Sequence, residues 1–182
     1  LERTDEALNV FGDVLALPES ERPDFPPDLL FQLDELYYAR HQYAVSEAIC
    51  RWLMDRNQGR TVYRAALRLA DILAAQGRLD EAEQQLTDLR ARLKNGELSF
   101  EKEPDRPLTA EVTSVQSEIF LLQDKLAKAI VTAEECLAEE DLSEAFVTRA
   151  RWVMGEAFFR QGQLDEALPY AVKVYILADD PI

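Results

Sequence analysis

The chain has 182 residues, 47% of them apolar, and carries 35 acidic against 20 basic side chains for a formal net charge of -15. That imbalance argues against a protein that grips a phosphate backbone through charge, and no apolar run approaches the roughly 18 residues of a spanning helix. Its two cysteines, Cys50 and Cys136, sit in apolar helical patterns as small hydrophobes rather than in a spaced disulfide framework.

Apolar residues recur at i, i+3, i+4 and i+7 in segment after segment, and no useful stretch alternates with period two, so the chain is predicted to be all-α. The first segment opens within an amphipathic pattern, LERTDEALNVFGDVL, as a piece of a longer protein would, and predicts a helix over 3–16. After the breaker ESERPDFPP, helices are predicted over 27–40 and 43–56; after NQG, over 60–76 and 79–94. A charged insertion, KNGELSFEKEPDRP, precedes predicted helices over 109–123, 126–139, 142–161 and 164–178. Links of two to four residues force consecutive helices into antiparallel hairpins. The phrase QGRLDEA around Gly77 returns as QGQLDEA around Gly162. Each is a helix stop, a glycine free to take the left-handed conformation, and a helix start with two carboxylates at its positive end. Pro169 falls in the first turns of the last helix, where it costs less than in mid-helix.

These residues resemble the tetratricopeptide repeat, a helix-turn-helix unit of about 34 residues. The best match is ARWVMGEAFFRQGQLDEALPYAVKVYILADDP, residues 150–181. With Gly155 as position 8, the small residues at 8 and 20 are Gly155 and Ala167, the large ones at 7 and 11 are Met154 and Phe158, and Pro181 closes the unit. The aromatic of position 4 is displaced to Trp152, and position 24 is Ala171. A second copy runs from Tyr63 through Leu69, Ala70, Leu73, Gly77, Ala82, Leu86 and Leu89. Two weaker copies carry Leu33, Asp34, Tyr37, Ser46 and Cys50, and Ser117, Phe120, Ala129 and Cys136. Position 20, where paired helices approach most closely, reads Ser46, Ala82, Ala129 and Ala167, all small; Asp34 at position 8 departs from the pattern. The resemblance implies one array over 1–182, a right-handed α-α superhelix of about four hairpins plus one preceding helix. Its parts are a half-repeat at 1–18, repeats at 27–58, 60–94, 109–140 and 142–182, and a charged loop at 94–108. The closing segment also looks like repeats of bacterial cell-envelope proteins of the TolA-binding coordinator type.

Catalytic constellations are missing from the sequence. His41 is the only histidine, and it falls at a turn rather than beside a nucleophile; no phosphate loop, CxxC or metal-spaced ligand set is present, so no cofactor and no metal are expected. Acid pairs such as Glu134 and Glu135 belong on a solvated helix face. In the family the first helices line a concave surface through positions such as 5, 9 and 12. Position 9 reads Glu35, Asp71, Glu118 and Glu156; position 5 contributes Phe31, Leu67 and Trp152; position 12 contributes Tyr38, Leu121 and Phe159. The expectation is a non-enzymatic protein-binding scaffold or adaptor whose acidic, aromatic-lined groove takes a basic or amphipathic peptide or helix from another protein, with no nucleic acid and no membrane insertion. The alternative is a homo-oligomer stacking through uncapped array ends, with a hydrolase as a remote third.

Overall fold

The computed structural model describes residues 2–18, 21–98 and 108–175, and among these it has nine α-helices and no strand. They are α1 (Glu2–Ala16), α2 (Pro27–Ala39), α3 (Tyr43–Arg56), α4 (Arg60–Ala75), α5 (Leu79–Lys94), α6 (Leu108–Leu122), α7 (Leu126–Leu137), α8 (Glu144–Arg160) and α9 (Leu164–Tyr175). Each lies within two or three residues of its sequence-predicted span. Residues 176–182, with the closing Pro181, and residues 99–107, with Phe100, lie outside the described residues.

Four hairpins, α2–α3, α4–α5, α6–α7 and α8–α9, are each closed by three residues, and all four turn in one way. Position 15 takes the left-handed conformation in every copy: His41 (φ 58°), Gly77 (75°), Asp124 (59°) and Gly162 (77°). The N–H of position 16 then donates to the carbonyl of position 11, as in Gln42 to Tyr37 (2.9 Å), Arg78 to Leu73 (2.9 Å), Lys125 to Phe120 (2.8 Å) and Gln163 to Phe158 (2.9 Å). This pairing satisfies carbonyls that a helix end otherwise leaves bare. The repeated glycine phrase is thus one realisation of a turn that His41 and Asp124 also make.

Hairpins stack because each first helix is apolar on more than one side. α4 buries Val62, Tyr63, Ala65, Ala66, Leu67, Leu69, Ala70, Ile72 and Leu73, since it packs against α3 behind it and α5 and α6 ahead. The core falls into three clusters along the stack. The first joins α1, α2 and α3, where Phe11 stacks on Trp52 (6.2 Å between ring centroids) and Phe25 closes over both. The second centres on α4, α5 and α6 and takes in Leu98 of the predicted insertion, which is buried. The third joins α6, α7 and α8. Charged residues at the turns tie neighbouring hairpins: Arg78 reaches Glu47 (2.6 Å) and Lys125 reaches Glu83 (2.9 Å), in both cases position 16 to position 21 of the preceding hairpin.

Candidate functional site

At position 8 the first hairpin places a carboxylate where the others place Ala70, Ser117 and Gly155. Asp34 is 1% exposed. The Ser46 hydroxyl donates to it from α3, Arg68 Nε of α4 lies 2.7 Å from its other oxygen, and the Cys50 thiol lies 3.9 Å away. A buried carboxylate is tolerable only when paired and hydrogen-bonded in this way. The Arg68 guanidinium also covers the Tyr38 ring at 4.0 Å.

Beside this network a cavity of about 350 Å³ opens between α2, α4 and the start of α8. Phe31 and Leu67, both buried, form its floor; Glu35, Arg64, Asp71, Phe146 and Arg149 stand around it. Arg64 lies over the Phe31 ring at 4.1 Å. Arg149, from α8, bridges two helices: it is 3.3 Å from Asp71 of α4 and 3.0 Å from Glu118 of α6. Burial pushes the Asp71 carboxyl above the usual carboxylate range, with Arg149 and Arg68 pulling against it. Burial raises Glu118 as well, opposed by Arg149 and reinforced by the Asp71 charge.

A separate cleft of about 440 Å³ lies between α8 and α9, lined mostly by carbon, and no residue lines both spaces. Trp152, Glu156 and Phe159 enter it from α8, and Ala167, Leu168, Ala171 and Val174 from α9.

Two family models described as tetratricopeptide repeat match the chain, one over residues 34–97 and the other over residues 148–169. These two stretches are tetratricopeptide repeats. A comparison with curated proteins returns no match. Tetratricopeptide repeats are generally protein–protein interaction modules, typically without catalysis, which supports a scaffold or adaptor role. No helix among the described residues is long and apolar enough to cross a membrane.

Repeat positions chosen from the sequence divide on this scaffold. Phe31, Glu35, Leu67 and Asp71 meet in the concave cavity, with Glu118 joined to it through Arg149. Trp152, Glu156 and Phe159 instead line the α8–α9 cleft. Leu121 is fully buried among Ala129, Ala133 and Met154, so it cannot line a groove. Tyr38 is half-buried beneath Arg68 with its edge against Tyr43. The acids do not form an open ladder. Asp71 and Glu118 share Arg149, and Glu156 is held by Arg160 one turn later at 2.7 Å. Glu35 alone is exposed, and none of the ion pairs among the described residues engages it.

His41 lies exposed at its turn with Nδ1 2.7 Å from the Tyr43 hydroxyl. Sequence reasoning did not single out Arg149 as the partner of two groove acids, nor Arg68 as the cover of Tyr38. Both stand at first-helix positions next to the acids, and a search for basic residues two hairpins apart would have found Arg149. Cys50 and Cys136 are free and buried.

Proposed function

We propose that the protein is a non-enzymatic adaptor whose concave face takes an amphipathic peptide or helix carrying a basic residue. The observation behind this reading is Glu35. It is the one position-9 acid free of arginine, and it borders a cavity whose floor is the apolar Phe31 and Leu67. A ligand's apolar side chains would rest on that floor and against Phe146, with a lysine or arginine set opposite Glu35. Because three of the four acids are already matched, charge supplies register rather than most of the affinity. Arg64, half-exposed over Phe31, gives the rim a cation as well and disfavours strongly basic ligands.

The test is binding of labelled amphipathic helical peptides with one lysine, compared with the same peptides carrying glutamine there. Glu35→Gln should weaken the lysine peptide about three- to tenfold in low salt, leave the glutamine peptide unchanged, and lose its effect near 0.5 M salt. Equal binding of the lysine peptide by both proteins sinks the reading. Neutralising Asp71 or Glu118 is a poor substitute, because each also holds Arg149 and its loss removes a tie between helices. A second reading, end-to-end assembly of copies, draws on Phe159, Leu164 and Leu168, which are 61%, 60% and 63% exposed near the α8–α9 end. Sedimentation across a range of concentrations tests it.

A further inference from the structure

The α8–α9 cleft has an internal counterpart whose occupant is visible. Positions 5, 8, 12, 20, 24 and 27 of the last hairpin are Trp152, Gly155, Phe159, Ala167, Ala171 and Val174, and all six line the cleft. The same positions one hairpin earlier are Ser114, Ser117, Leu121, Ala129, Ala133 and Cys136, and all six are 0% exposed. They are closed off because α8 packs across both α6 and α7. α8 does so with a face of Ala150, Val153, Met154 and Ala157, buried in one cluster with Leu121, Ala129, Ala133 and Cys136. Just ahead of that face, Arg149 meets Glu118 at 3.0 Å, and the Ser114 hydroxyl donates to the Phe146 carbonyl at 3.0 Å. Glu156 repeats Glu118 at position 9 and stands at the edge of the α8–α9 cleft.

We infer that the cleft between α8 and α9 is a docking site for an amphipathic α-helix of a partner protein. That helix presents small and medium apolar residues at the spacing of Ala150, Val153, Met154 and Ala157, with a basic residue directly before them to meet Glu156. The surface has the shape of one helix laid across two, because that is how the equivalent surface is filled within the chain. A second copy docked face to face is a poorer match: it would bring the same bulky Phe159, Leu164 and Leu168 against themselves, where the counterpart surface takes alanine, valine and methionine. Glu156 already pairs with Arg160 at 2.7 Å, and an incoming cation would join that pair from the cleft that Glu156 lines. This site is distinct from the concave cavity and does not depend on Glu35.

The experiment uses the full 182-residue chain and one defined probe. The probe is a labelled helical peptide as long as α8, which has 17 residues, keeping Arg149, Ala150, Val153, Met154 and Ala157 at their spacing with lysine and glutamate elsewhere. Fluorescence anisotropy should show saturable binding. Phe159→Glu and Leu168→Glu, at exposed positions where the change should leave the helical circular dichroism intact, should each weaken it at least about tenfold. Glu35→Gln should leave it unchanged, which separates this result from the fate of the concave-face reading. Replacing the probe's arginine by glutamate should weaken binding in low salt. Absence of binding, or binding indifferent to both glutamate variants, overturns the inference. So does concentration-dependent self-association that Leu168→Glu abolishes, which assigns the face to a second copy. Slow amide exchange in α9 without peptide also overturns it, because the chain itself would then cover the cleft.

Discussion

Position 15 takes positive φ at every hairpin turn, yet only Gly77 and Gly162 do so without a side chain to strain. A Cβ at Gly162 would meet nothing within 4 Å, so its replacement tests backbone conformation alone. Gly162→Ala should therefore cost about 1 kcal/mol. Asp124, exposed and held at φ 59°, is the mirror case: Asp124→Gly should gain about 0.5 kcal/mol, since relief of left-handed strain exceeds glycine's entropy in the unfolded chain. Urea midpoints read both. If Gly162→Ala is neutral, the turn does not need the left-handed residue and the account of the repeated phrase fails. Gly155 belongs to a different class. A Cβ there would lie 3.2 Å from Tyr170 Cβ, so it is glycine for closeness of helices rather than for φ.

At the scale of helices, arginines do the joining. Arg68 ties α4 to α2 through Asp34, and Arg149 ties α8 to α4 and α6 through Asp71 and Glu118. A carboxyl whose folded pKa is raised holds its proton more tightly folded than unfolded. Its contribution therefore rises as pH falls through the folded value and is lost as pH increases past it. Asp71 and Glu118 are both of this kind, and Arg149 offsets part of their cost at neutral pH. Arg149→Met should then destabilise the protein by about 2 kcal/mol at pH 7, leaving two partly buried carboxylates face to face. The deficit should shrink toward pH 5 as those carboxyls protonate. Urea denaturation of both proteins at the two pH values checks it, and a deficit that grows on acidification would refute the pairing.

That bridge also marks the limit of sequence reading. The helices were legible because apolar spacing and breakers act locally, and the hairpins because three-residue links leave no other path. Position 20 announced itself through four small residues. Asp34 stood out as a departure, but its compensation by Ser46 and Arg68 depends on which side chains three helices bring together. Arg149 reaches Asp71 from two hairpins later, and a position-by-position reading that treats each acid as facing solvent cannot see it. Leu121 was misplaced for the same reason: position 12 faces a groove only where no further helix covers it, as at the exposed Phe159, and α8 covers it here.

In the molecule as a whole, stability should follow the number of neighbours each helix has, since stacked hairpins gain most of their stability from the interfaces between them. α4 and α6 are covered on several sides and hold most of the central core, whereas α9 packs on α8 and has Ala167 as its only buried side chain among those described. α9 also contains Pro169, which removes one helical hydrogen bond. Among the four hairpins, amide exchange should consequently be fastest in α9 and slowest in α4 and α6, with protection falling from the middle of the stack toward the last hairpin. A helix docked in the α8–α9 cleft would give α9 the second neighbour that α7 already has. The decisive comparison is exchange with and without the α8-face peptide. Protection should rise in α8 and α9 and stay unchanged in α2 and α3, whereas a uniform rise along the chain would mean that the peptide binds elsewhere.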